Sequence, residues 1–480
     1  ELVRMYYTLL GEKAYFKGIA LYIERHDGQA VTIEDFLKAM HDGSGRDLTQ
    51  FSRWYHQAGT PVVELDSDYN QDEKRFSITA RQHCDSTPGQ AEKQPFHIPI
   101  SVGLIAADGT EVAADVLELT EAEQRFDFHD VAGRPIVSAL RDFSAPVELH
   151  ANHSDVHLAS LMRFDTDAFA RWEASQQLML RSLHGVMKSG SIADPVSALR
   201  YIFLELLDDG KTDKSLIAQL ITLPDEPAVA VGLNDIDMGA IDTARRRLKQ
   251  ALGHGLQTRF LDCYNMLARD GDYQPAAAQI ADRTLRHACL DYLANSGDAE
   301  CIDLCVGHIE AADNMTDALG GLGILSRIDC AARQTMMETF YDRWCSDPLV
   351  LLKWFFIVGA SPVAGAIDGV MQVMEQPHFD LKNPAHGMNL LGGFFRRNYV
   401  EYHNPDGSGY EFLADVILEI DSFRPDAGSW LMPQSMQWRR HEPRRRELMH
   451  DQLKRIASTD GISSGLYELV NNALAEDQET

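Results

Sequence analysis

The spacing of apolar residues changes twice along the chain. In residues 1 to 58, Leu9, Leu10, Phe16, Ile19, Ala20 and Ile23 recur at helical intervals, which predicts a first helix stopped by Asp27-Gly28. Thr32 and Asp35 have the spacing of a capping box, with Ile33, Phe36, Leu37 and Met40 as the apolar stripe of the helix it opens. A third helix is predicted through Leu48, Phe51 and Trp54, ending before Gly59-Thr60-Pro61.

Between residues 59 and 152 the period falls to two. Phe76, Ile78 and Ala80 alternate with Ser77 and Thr79, and Phe126 and Phe128 flank Asp127. Phe96 to Ile105 is a continuous apolar strand, and its Pro95 and Pro99 predict an edge position. Asp108-Gly109 separates it from Val112 to Leu119, a hairpin signal. About seven short strands in this stretch fit a small Ig-like β-sandwich.

From residue 153 to 480 strand patterns vanish and amphipathic segments follow one another. Breaks fall at Ser191 to Pro195, Leu223-Pro224-Asp225, Ser296-Gly297-Asp298, Ser346-Asp347-Pro348, Ser361-Pro362, Asn383-Pro384 and Asn404-Pro405-Asp406-Gly407. No fixed period is visible, so the expectation is an irregular stack of helix pairs, a superhelical ARM- or HEAT-like domain.

Composition narrows the function classes. The chain has 480 residues, enough for about three domains. Lys and Arg number 44 against 72 Asp and Glu, a net charge of −28 that repels nucleic acid and anionic membranes. Seven scattered cysteines suggest a reduced, cytoplasmic compartment. The most apolar stretch, Leu349 to Ile367, carries Lys353, Ser361 and Pro362, which favours two buried helices over a membrane span. The chain begins at Glu1 with no secretory leader, as a processed chain or a piece of a longer one would.

The short signatures of catalysis are missing: there is no HExxH, no P-loop, no strand-linked GxGxxG and no GxSxG elbow following a strand. Three clusters invite chemistry. His150, His153 and His157 would share one face if helical and could bind a transition metal, against the plainer reading of a polar interdomain linker. Cys301, Cys305 and His308 lie at i, i+4 and i+7, where core packing of small cysteines is favoured over a metal. Arg439, Arg440, Arg444, Arg445 and Arg446, followed by Lys454 and Arg455, are either an anion site or a set of partners for acidic neighbours. Asp406-Gly407-Ser408-Gly409 lacks the spacing of a calcium loop and predicts a turn.

Several long runs then become informative together: Gly18 to Gly28, Phe51 to Pro61, Ala91 to Pro95, Phe143 to Val147, Arg283 to Leu290, Asn314 to Leu319, Lys353-Trp354-Phe355 and Asp406 to Tyr410. In order and across nearly the whole chain, they resemble the bacterial aminopeptidase N family of zinc exopeptidases.

The resemblance implies a C-terminal portion of such an enzyme. Residues 1–58 would be the closing helices of a thermolysin-like catalytic domain, 59–152 the β-sandwich and 153–480 the helical domain that caps the active site. Zinc, the motif for the substrate amine and the catalytic tyrosine would lie upstream of Glu1. This chain is then expected to contribute no catalytic residue, to hold no metal and to be inactive alone. Its partners would be the upstream catalytic half and, through it, peptide substrates. His386-Gly387-Met388-Asn389 echoes the amine motif but lacks its Glu. By resemblance Met388, Asp426 and Trp430 are the candidates to line the substrate cavity, although arginines would be expected there. The alternative is a stand-alone sandwich and helical-repeat scaffold that binds a protein partner.

Overall fold

A computed structural model describes residues 1–268, 271, 273–425 and 428–475. The chain divides into two compact units, Glu1–Leu178 and Met179–Thr480.

The first unit opens with the helix Leu2–His26, interrupted at Gly11 by a positive φ of 71°. The second helix, Ile33–Ser44, starts as the sequence predicts: Thr32 Oγ1 accepts from Asp35 N and the Asp35 carboxylate accepts from Thr32 N. The predicted third helix shrinks to the single turn Arg53–His56. Asp47 Oδ1 accepts from the amide and hydroxyl of Thr49, and this local turn competes with a helix through Leu48. Leu48 and Phe51 are nonetheless buried. The apolar stripes are only half used, because Val3, Tyr7, Phe16, Ile23 and Ile33 stand exposed.

Seven strands follow: β1 Val62–Asn70, β2 Arg75–His83, β3 Ile98–Ile105, β4 Glu111–Leu119, β5 Glu123–Phe128, β6 Ile136–Ala139 and β7 Glu148–Ala151. They form two sheets ordered β5-β2-β1-β7 and β4-β3-β6. The pairs are antiparallel except β1 with β7, which run parallel with Val62 opposite Glu148. Val63, Leu65, Phe76, Ile78 and Ala80 from one sheet share a core with Ile98, Ile100, Val102 and Leu104 from the other, and Met5, Tyr6, Met40 and Phe51 join it from the helices.

The edge expectation for residues 96–105 is overturned, since β3 is the centre of its sheet. Its one proline, Pro99, is tolerated because β6 pairs only with Val102 to Ile105, and Pro95 lies before the strand. Pro99 pairs with Glu118 on one side only, so the N–H it lacks interrupts no ladder toward β6.

The second unit is helical among its described residues. Some of its helices begin at the predicted breaks, after Asp225, Asp298, Asp347 and Asn383, and others begin where no break is predicted, as after Asp213, Asp237 and Asn314. Asp213, Asp225, Asp237, Asp298, Asn314, Asp347 and Asn383 each cap a helix through the side chain, and Pro348 and Pro384 occupy first-turn positions. The apolar stretch near Leu349 is two helices, Pro348–Gly359 and Ala366–Met374, as expected from Ser361-Pro362. Among the described residues no helix is long and apolar enough to cross a membrane. All seven cysteines are free.

Candidate functional site

The chemistry-bearing residues of the second unit converge where three consecutive helices pack. Ala277–Ala294 supplies His287, Ala299–Glu310 supplies His308 and Met315–Leu325 supplies Asp317. Asn314 fixes the third. Its Oδ1 accepts from Asp317 N at 2.9 Å as the helix cap, while its Nδ2 donates to Asp317 Oδ2 at 2.7 Å. His287 Nε2 donates to the other carboxylate oxygen at 3.0 Å. The two histidine rings meet edge to face with centroids 5.2 Å apart.

This approach depends on Gly320 and Gly321. A Cβ on Gly320 would lie 2.4 Å from the His287 ring, and one on Gly321 would lie 3.0 Å from His308 Cδ2. Only residues without side chains let the third helix lie this close.

Burial pushes His308 down to about 4, helped by the charges of His287 and Arg286. It is therefore a neutral imidazole at pH 7. Its Nδ1 lies 3.0 Å from the Tyr264 hydroxyl, and its Nε2 is buried without a protein partner. Burial alone would raise Asp317, but the hydrogen bonds from His287 and Asn314 outweigh it and hold the carboxyl at about 2.

Two cavities flank the cluster. The first, about 470 Å³, is lined by His308 and Asp317 and also carries Asp282, Asp303 and Asp313 against Arg283 and Arg286. The second, about 660 Å³, reaches His287 and is walled by charged side chains. There Arg245 pairs with Glu226, Lys249 pairs with Asp291, and Arg397 stands 3.8 Å from Asp225. Burial lowers the Lys249 ammonium, an effect Asp291 opposes. Such a cavity offers fixed charges of both signs to a polar or zwitterionic ligand.

The residues singled out in the sequence fare differently. Met388 is exposed on the helix Pro384–Arg397. Trp430 packs near Gly392, and the Arg396 guanidinium lies 5.1 Å from its ring centroid. Neither lines the two cavities above, and Asp426 lies outside the described residues. The metal reading of His150, His153 and His157 is overturned. His150 sits in β7 against Glu148, His153 bonds Val137 O, and only His157 is helical, inside a capping box with Ser154. Cys301 and Cys305 are buried beside His308 on one helix, but His308 turns to residues of neighbouring helices.

The arginine cluster serves as a set of internal ties. Arg445 is buried and binds His403 O, Asp237 and Glu442. Arg446 pairs with Asp235, Arg444 reaches Pro405 O, and Arg455 pairs with Asp415. Asp406 forms a turn with Ser408, as expected. Sequence reading missed His287 and Asp317 because no short spacing links them; the Asn314 cap is the one local signal, and it marks a helix start rather than a ligand.

Comparisons with known proteins agree with the two-part architecture. A family described as a domain of unknown function (DUF3458_C) with ARM repeats matches residues 155–475, and one described as a domain of unknown function (DUF3458) with an Ig-like fold matches residues 59–152. Aminopeptidase N of Escherichia coli (strain K12) is 36% identical over 487 residues, covering 99% of this chain and 56% of that protein. Its counterpart from Haemophilus influenzae is 34% identical, with the same coverage of 99% and 56%. The crystal structure of Legionella pneumophila aminopeptidase A in complex with aspartic acid superposes with a TM-score of 0.88 at 28% identity, covering 98% of this chain and 55% of that one. The chain spans about half the length of the relatives it matches.

Proposed function

Because the chain belongs to the DUF3458_C family and aligns with the C-terminal half of aminopeptidase N homologues, we propose that it is the C-terminal portion of a zinc-dependent aminopeptidase that removes N-terminal residues from peptides in the cytoplasm. In this reading residues 1–58 close a catalytic domain, 59–152 are the sandwich, and 153–480 form a helical wall of the substrate cavity. Met388, Asp426 and Trp430 remain candidates for that wall.

The observation that carries the reading is alignment along 99% of the chain to proteins named for this activity. The uncovered apolar side chains Val3, Tyr7, Phe16, Ile23 and Ile33 support it, since a neighbouring catalytic half would bury them.

The family's zinc does not fit residues of this chain. HExxH, the motif that would hold the family's catalytic zinc, is absent from the sequence. No catalytic step is therefore assigned here. The role proposed for these residues is to enclose the peptide and exclude folded substrates.

The test is hydrolysis of an alanine chromogenic substrate with added zinc. The 480-residue chain alone is expected to be inactive, and mixing it with the upstream polypeptide to restore turnover. Turnover by the chain alone overturns the reading.

A further inference from the structure

We infer that His287, His308 and Asp317 form a binding site for a divalent transition-metal ion of the zinc class. One donor atom from each residue lies within 4.8 Å of the other two. Ligands about 2 Å from a tetrahedral zinc stand roughly 3.3 Å apart, so side-chain shifts of under about 1 Å close the set. His287 Nε2 and Asp317 Oδ1, at 3.0 Å, already have that spacing, and the ion would replace the proton they share, with His287 carrying its proton on Nδ1 instead.

The surroundings match what such an ion needs. Tyr264 holds Nδ1 of His308, leaving the buried Nε2 as the nitrogen for the ion. This is the outer hydrogen bond that orients metal-bound imidazoles. Asn314 does the same for the Asp317 carboxylate. His308 is 6% exposed, so its unpartnered nitrogen has no bulk water to turn to. The adjoining cavity of about 470 Å³ leaves an open position for water or a ligand, and its four aspartates outnumber its two arginines. Two histidines and one carboxylate with a free position suit zinc or ferrous iron rather than calcium or magnesium.

This inference is independent of the aminopeptidase reading. The 480-residue chain is stripped with chelator and titrated with zinc by calorimetry, and cobalt absorption reports tetrahedral nitrogen and oxygen ligation. One equivalent is expected to bind. Asp317→Asn and His287→Gln should each weaken binding at least about tenfold, and Tyr264→Phe about ten- to a hundredfold. Circular dichroism confirms that each variant is folded. Failure of the folded wild-type chain to bind zinc overturns the inference. So does unchanged binding in folded Asp317→Asn and His287→Gln, which would place the ion elsewhere.

Discussion

Arg141 Nη2 lies 2.7 Å from Asp165 Oδ1, and both side chains are almost wholly withdrawn from solvent. The same guanidinium donates to Glu111 Oε2 at 2.5 Å and to Ser138 Oγ at 3.0 Å. It rests directly on Gly103 of β3, where a Cβ would fall 2.0 Å from its Cζ. Leu140, Asp142 and Phe143 around it take left-handed φ values of 55°, 54° and 50°. For residues with side chains this costs on the order of 1 kcal/mol each.

Replacing Arg141 by Met leaves Asp165 buried without its cation. The expected loss is about 3–5 kcal/mol, read from urea unfolding of the whole chain. Asp165→Asn in the same background should recover part of it, and full stability of the single variant would contradict the pairing.

Gly320→Ala should destabilise the second unit by about 1–3 kcal/mol, because its methyl group must displace the His287 ring. Gly323 is the control, since a Cβ added there would meet nothing within 4 Å. A Gly323→Ala variant is expected to melt at or above the wild-type temperature, whereas Gly320→Ala melts below it.

Asn314→Ala removes a helix cap and a bond to Asp317 together. A loss of about 1 kcal/mol is expected from the cap. Asn314→Asp keeps the cap oxygen but sets a second carboxylate against Asp317, so it should be less stable at pH 7 than at pH 4 relative to wild type. Equal stability of the three chains would remove Asn314 from the design.

His403 and His441 stack with ring centroids 4.6 Å apart, beside the buried Arg445. Burial, then the Arg445 charge, pushes His441 down to about 4; burial, then His441 and Arg445, lowers His403. Both bind protons more readily when unfolded, near 6.5, than when folded. Their stabilising effect is complete above about pH 6.5 and is lost as pH falls toward 4. His441 alone contributes roughly 3 kcal/mol across that window. Melting temperature should drop steeply from pH 7 to 4.5, and His441→Gln should flatten the drop. An identical slope in the variant would assign the acid lability elsewhere.

Much of the secondary structure is legible in one dimension. The Thr32 capping box, the Asp108-Gly109 hairpin and the Asp347-Pro348 and Asn383-Pro384 helix starts all form as the residues predict. Each is decided by hydrogen bonds or steric limits within a few residues. The misreadings share a cause as well. Pro99 marks an edge only until β6 begins, Leu48 loses its helix to the Asp47 turn, and His150 and His157 fall in different elements.

Local sequence marked many of the element ends and the apolar runs that supply the core, because those depend on neighbours along the chain. Only the tertiary structure brought His287 to Asp317, thirty positions away, and placed Arg141 over Gly103. Those contacts depend on how closely helices and strands can approach. That distance is set by glycines and side-chain volumes on separate elements, and no local spacing encodes it.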